Sequence, residues 1–218
     1  TNQVTISQSQ NVTLSNSLVT TNNKSKPALK IEESDKVYVQ QVNLDSFIRV
    51  DNSANVSIVG TNANDQLLIT NDNVLSLNVD TRAGNDALTL VGDVAALNVN
   101  ADGDLILTRA TRVASPSGNV TLRAGGALTL EAGSVIDASA MNTGNGGTVT
   151  INSAGTKFYG NIFSRGGENG GNGGFVEVSG KYLLFEGNVD TRAPRGIAGN
   201  LLIDPDYVTV DSATTDDT

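Results

Sequence analysis

The hexapeptide Asn78-Val79-Asp80-Thr81-Arg82-Ala83 returns unchanged at residues 188–193. Related stretches open at Ile106, Val135 and Ile162, so that Val79, Ile106, Val135, Ile162 and Val189 recur at steps of 27, 29, 27 and 27. The third and fourth residues of these stretches read Thr81-Arg82, Thr108-Arg109, Asp137-Ala138, Ser164-Arg165 and Thr191-Arg192. A unit of this length cannot bury its own apolar side and must stack on a copy of itself. The spacing therefore predicts a solenoid with coils of about 27 residues and a core ladder of Val79, Ile106, Val135, Ile162 and Val189.

Short runs around that repeat alternate apolar and polar residues, as in Val37-Val39, Leu75-Leu77-Val79, Leu105-Leu107, Val120-Leu122, Val149-Ile151 and Val176-Val178. Period two over three to six positions is the pattern of a half-buried strand, and no amphipathic helical run occurs. The chain's 23 glycines and only four prolines suit many strands joined by tight turns. Val120, Val149, Val176 and Leu201 step by 29, 27 and 25, which predicts that they lie one above another at the roughly 4.8 Å spacing of paired strands. The expected fold is an all-β, right-handed parallel β-helix.

Composition excludes much chemistry. With no histidine and no cysteine the chain lacks imidazole bases, Ser-His and Cys-His dyads and the common zinc ligand sets. A net charge of −9, without clustered Lys and Arg, argues against nucleic acid and anionic membrane as partners. No run approaches the ~18 apolar residues of a membrane span, and Thr1 opens no signal peptide, so the chain reads as a piece of something longer.

Three regions are expected: irregular coils or a cap over residues 1–45, a solenoid stack over 46–210, and an acidic tail or linker over 211–218. Val50-Asp51 repeats the Val79-Asp80 pair one period earlier, which carries the stack back to that point. Gly144–Gly147 and Gly166–Gly174 are read as loops, where insertions leave the strands in register.

The stretch from Phe158 to Val210 resembles the filamentous-haemagglutinin-type exoproteins of two-partner secretion, including their cyanobacterial relatives. Its marks are Phe158-Tyr-Gly-Asn-Ile162, the Arg165-Gly-Gly turn, Gly173-Gly-Phe-Val-Glu-Val-Ser-Gly-Lys181 and Leu201-Leu-Ile-Asp-Pro205. Residues 118–157 look like the preceding coil of the same family, while residues 1–100 connect to it only through the internal repeat. The resemblance implies a fibre exported across the outer membrane of a Gram-negative-type bacterium and displayed at the cell surface. It implies adhesion to surfaces, cells or neighbours, with no catalytic residues and no cofactor. The family's N-terminal secretion domain is not recognisable in the chain.

With the Val79 row facing inward, alternation turns Asp80, Leu107, Ile136, Phe163 and Asp190 outward as an apolar strip bounded by aspartates. Leu107, Ile136 and Phe163 are thus candidate contact residues for a neighbouring chain, a cell surface or a glycan, or else they lie beneath a loop. Arg82, Arg109, Arg165 and Arg192 form a second candidate row, interrupted by Ala138. It can be a solvated, salt-bridged face or can meet an anionic glycan through guanidinium forks. A polysaccharide-acting enzyme would need clustered carboxylates, and Asp80, Asp137 and Asp190 fall too far apart to cooperate. Asn64-Asp65-Gln66-Leu67 and Gly84-Asn85-Asp86-Ala87-Leu88 resemble the ends of calcium-binding nonapeptide repeats. They stand too far apart for that period, lack its leading glycine pairs and are read as plain turns. Unpaired strand edges at the ends of a stack invite more coils or head-to-tail pairing with another copy.

Overall fold

The alternating runs do form strands, and these wind into a parallel β-solenoid of about eight turns. The computed structural model describes residues 3–15, 26–40 and 46–207. Among them there is no helix, and every strand-to-strand ladder is parallel. No helix long and apolar enough to cross a membrane occurs among the described residues.

Each full coil of the C-terminal half has three faces. The first runs through residues 119–124, Phe175–Gly180 and Asn200–Pro205. The second runs through 128–130, 156–158 and Tyr182–Phe185, and the third through Val135–Asp137, Asn161–Phe163 and Asn188–Asp190. In earlier coils the second and third faces merge into one run, as in Ser46–Asp51 and in residues 66–72.

The core is built of rows that climb the stack. On the first face Val12, Val37, Val56, Leu77, Leu97, Val120, Val149, Val176 and Leu201 are in register. The expected Val120-Val149-Val176-Leu201 ladder is the upper part of that row. Two residues along the strand, a second row runs Leu14, Val39, Ile58, Val79, Val99, Leu122, Ile151, Val178, Ile203. The second face contributes Leu67, Leu88, Leu107, Leu130, Phe158 and Phe185, closed by an aromatic contact of 4.9 Å between the two Phe rings. The third contributes Ile6, Ile31, Val50, Asn71, Gly92, Val113, Ile136, Ile162 and Val189. One polar break interrupts it: Asn71 turns inward and gives its Nδ2 to the Asp93 carbonyl at 2.7 Å, over Gly92, where a Cβ would fall 1.6 Å from the Asn71 carbonyl oxygen.

Two expectations are corrected by this register. Coil length is not uniform. Along the Val79 row the steps are 25, 19, 21 and 20 up to Val99, then 23, 29, 27 and 25. The ladder of Val79, Ile106, Val135, Ile162 and Val189 also dissolves into three faces. Val79 is on the first; Ile106 points outward on the second, between Ala87 and Thr129; Val135 points outward on the third, between Arg112 and Asn161. Only Ile162 and Val189 are stacked neighbours. Val50 pairs with Asn71 rather than standing one coil below Val79.

The hexapeptide explains the slip. Its first copy leaves the first face and its second leaves the third, yet both share one cap, although of the two arginines only Arg82 lies in the left-handed region, at φ 63°. The aspartate caps the amide two residues on, with Arg82 N to Asp80 Oδ1 at 3.0 Å and Arg192 N to Asp190 Oδ1 at 3.1 Å. The sequence Asn-Val-Asp-Thr-Arg-Ala encodes an exit from a strand, an Asx-type turn, and carries no address for which strand is left.

Nor is the N-terminal region a separate irregular segment where it is described. Val4–Ser7 pairs with Leu29–Glu32, and Asn11–Leu14 with Lys36–Gln40, in the same parallel register as the rest. The expected tail of residues 211–218, and the last three residues of the expected 46–210 stack, lie outside the described residues.

Candidate functional site

The corner where the chain leaves the third face and returns to the first changes character along the stack. In the first four coils it is a tight turn. Gln8, Glu33, Asn52 and Asn73 stack there in the left-handed region, with φ between 46° and 51°, and the Gln8 and Asn73 side chains bond the neighbouring coil at 2.9 and 3.0 Å. Ser34 and Ser53 hydroxyls accept the amides of Ser9 and Ser34 at 3.4 and 3.3 Å. From Ala138 onward the same corner carries loops, over residues 138–147, 164–174 and 191–199.

Those loops are laminated like the strands. Gly144 N reaches Gly170 O, Gly146 N reaches Asn172 O and Gly173 N reaches Ile197 O, each at 2.9 Å. Asn145 Oδ1 accepts Asn172 N at 2.8 Å, and Asn172 Oδ1 accepts Ile197 N at 3.0 Å, an asparagine ladder through three coils. Gly171, at φ 121°, packs so closely that a Cβ would lie 1.8 Å from the Gly144 carbonyl oxygen. The glycine-rich stretch expected to be a free insertion is part of the wall.

Between this wall and the outward side of the third face lies a groove of about 730 Å³. Its residues come from four successive coils: Ala114 and Pro116; Asp137, Ser139 and Met141; Arg165 and Glu168; Arg192 and Pro194. The floor is held rigidly. Asp137 Oδ1 accepts Ser139 N at 2.9 Å, and Ser139 Oγ accepts Arg165 N at 3.0 Å and Arg165 Nε at 3.4 Å. The Arg165 guanidinium lies 4.9 Å above the Phe163 ring, with Nη2 3.9 Å from Asp137 Oδ2. One coil on, Arg192 grips Asp190 with Nε at 2.8 Å and Nη2 at 2.7 Å. That fork, above all, holds the Asp190 carboxyl below the ordinary carboxylate range, against the opposing effect of burial.

The expected arginine row is half present. Arg165 and Arg192 are stacked neighbours, bridged through Gly166 N and Arg192 O at 3.0 Å. Arg82 sits at the corner after the first face, and Arg109 in the turn between the second and third, where its amide donates to Glu131 Oε2 at 2.8 Å. The apolar strip is not present. Leu107 and Ile136 are fully buried core residues, and Phe163 alone of the three faces outward, under Arg165. Ser139, Met141 and Glu168 were not legible as site residues, because only the loop stacking brings them to the floor and rim.

The aspartates at the other corners are structural. Asp65, fully buried, accepts Thr61 N at 2.7 Å and Thr61 Oγ1 at 2.9 Å, while Asp86 Oδ1 accepts Asp65 N at 2.9 Å. Burial raises both carboxyls above the usual range, opposed in Asp65 by its Thr61 bonds. In Asp86 the Thr81 hydroxyl and the Asp65 amide oppose the shift and the Asp65 charge adds to it. Asp86 Oδ2 and the Thr81 hydroxyl nonetheless meet no partner of good hydrogen-bond geometry among the described residues. Among the same residues no group of three or more potential ligands that could hold a metal is assembled. No known family model, curated protein or solved structure matches the chain.

Proposed function

We propose that this chain is a non-enzymatic, extracellular β-solenoid module of a secreted or surface-displayed fibre, and that it adheres through the groove beside the third face. The observation that carries the reading is the groove itself: a concave surface of about 730 Å³, polar and apolar in nearly equal parts, mounted on a wall whose loops are hydrogen-bonded from coil to coil. A rigid stack presenting one built recess suits holding better than turnover. Asp137 and Asp190 have Phe163 between them in the row, and Asp190 is spent on Arg192, so they do not act as a carboxylate pair. The stretch from Phe158 to Val210, with its resemblance to filamentous-haemagglutinin-type exoproteins, supports the cell-surface setting in a Gram-negative-type, including cyanobacterial, bacterium.

The test is adhesion by beads coated with the purified chain to bacterial cells and to polysaccharide-coated surfaces. Retention above albumin-coated beads that drops when Arg165 and Glu168 are both replaced by Ala supports the reading, and retention equal to albumin overturns it. Release of reducing ends from polysaccharide by the purified chain would favour a β-helix enzyme instead.

A filament subunit is the second reading, favoured by the last described coil. Leu201, Leu202 and Ile203 there are 40, 42 and 46% exposed, although Leu201 and Ile203 continue the inward rows. Another coil, of the same polypeptide or of a second copy, would cover them. Sedimentation and electron microscopy before and after removal of residues 1–15 separate the cases: a head-to-tail filament becomes monomeric, and unchanged assembly excludes that contact.

A further inference from the structure

We infer that the groove takes an uncharged, linear polysaccharide lying parallel to the solenoid axis, one sugar unit to each coil. This rests on the adhesive reading above and names the ligand class of that site.

The direction follows from the lining. Ser139, Arg165 and Arg192 occupy equivalent places on three successive coils, and Pro116 lines the groove from the coil before, which at roughly 4.8 Å per coil gives a track of about 14 Å. A ligand that meets each in turn must itself repeat at close to the coil rise, and an extended glycan advances by about that much per sugar ring. A peptide adding itself as a strand would need an unpaired strand edge. The third face offers none here, since Val135–Asp137 and Asn161–Phe163 are each paired on both sides.

The chemistry follows from what the protein leaves unspent. A guanidinium has five N–H donors; Arg192 gives two to Asp190, and Arg165 gives a long 3.4 Å contact from Nε to Ser139. The others have no hydrogen-bond partner among the described residues. Both groups are pre-oriented, by Asp190 and by the Phe163 ring, so little side-chain entropy is lost on binding. Asp137 and Glu168 supply acceptors on the same surface, and Met141, Pro116 and Pro194 supply apolar patches for the faces of sugar rings. Paired donors and acceptors spaced along an apolar track match vicinal hydroxyls.

Charge selects against a polyanion. The lining holds two guanidinium groups, Arg165 and Arg192, and two carboxylates, Asp137 and Glu168. It therefore has no excess positive charge, and the whole chain stands at −9. A sulfated or uronate-rich glycan would be repelled at long range with no local compensation.

Isothermal titration of the purified chain with oligosaccharides of two to eight units tests this, using β-1,4-glucan, β-1,3-glucan, α-1,6-glucan and chitin series beside heparin. At least one uncharged series should bind, with affinity rising up to about four units and then levelling, as the four lined coils fill. Binding should persist at high salt. Glu168→Ala, at an exposed side chain, and Arg165→Lys should each weaken it about tenfold, the size of one charge-assisted hydrogen bond, with the melting temperature held. Binding to heparin alone, no binding by any uncharged series, or binding indifferent to both variants overturns the inference. If uncharged glycans fail while coated beads still adhere through Arg165 and Glu168, the ligand class is wrong and the adhesive reading stands. If the beads fail as well, both fall.

Discussion

One corner of this solenoid is solved in two ways. Around residues 7–10, 32–35, 51–54 and 72–74 the chain passes from third face to first through a single left-handed residue, and successive coils are locked by the stacked side chains of Gln8, Glu33, Asn52 and Asn73. Around 138–147, 164–174 and 191–199 it detours through loops that stack on each other by backbone bonds and an asparagine ladder. The corner differs most, and with it the second and third faces, which run on as one strand in the short coils and are parted by a turn in the long ones. Coil length is therefore a property of the turns, short around Val79 and long around Ile151. The extra residues build the wall of the groove, which therefore belongs to the long-coil region.

The largest expected effect concerns the core common to both regions. Ile162→Asp puts a charge between Ile136 and Val189 with no partner and should cost several kcal/mol, opening the long coils. Ile106→Asp, on the outward row, should cost under about 1 kcal/mol. Thermal unfolding followed by circular dichroism compares them directly. Equal losses would mean that Ile106 shares the core, as a uniform repeat requires.

Next in size is the lamination of the loops. Gly171→Ala meets the Gly144 carbonyl at a distance no side chain tolerates and should lower the melting temperature clearly. Gly170→Ala, at φ 141° but with nothing within 4 Å, should cost only the backbone strain of about 1 kcal/mol. Equal, slight effects would show the loops to be loose insertions.

The smallest effect lies in the short-coil region, at Asp65 and Asp86. Both have folded-state pKa values above the ordinary range because they are buried. Their neutral forms favour the fold, so their contribution is fully present below the unfolded pKa of about 3.9 and is lost as pH rises through the raised values. No Lys or Arg contributes to either shift; besides burial, Thr61 acts on Asp65, and Thr81 and Asp65 act on Asp86. Stability measured from pH 4 to 7 should fall less steeply in Asp86→Asn than in the parent. Superimposable slopes would remove Asp86 from the account.

Much of this was legible without coordinates, for identifiable reasons. Period-two alternation gives away the strands, and Val120, Val149, Val176 and Leu201 align because their coils share both faces and loops. The evenly spaced ladder failed where coils change length, since a strand exit such as Asp80-Thr81-Arg82 or Asp190-Thr191-Arg192 looks alike at any corner. The N-terminal register was signalled by a cue of a different kind. Ser9, Ser34 and Ser53 each follow a residue in the left-handed turn, at steps of 25 and 19, and their hydroxyls mark the corner in each coil. Half the arginine row was readable because Arg165 and Arg192 leave the same face one coil apart. The groove was not, because its rim depends on how three loops of unlike sequence pack.

The absence of native cysteine allows the register to be read by cross-linking. Ile106 lies beside Thr129, both outward on the second face, while Val135 is outward on the third. Neighbouring strands about 4.8 Å apart fall within the Cα separation of a disulfide, ~4.4–6.8 Å. Air oxidation of purified Ile106→Cys/Thr129→Cys should give an intramolecular disulfide in the folded chain, seen as a mass loss of two hydrogens and a gel shift reversed by reductant. Ile106→Cys/Val135→Cys should remain reduced under the same conditions. Cross-linking of the second pair and not the first would contradict the short-coil, long-coil account and restore a uniform repeat.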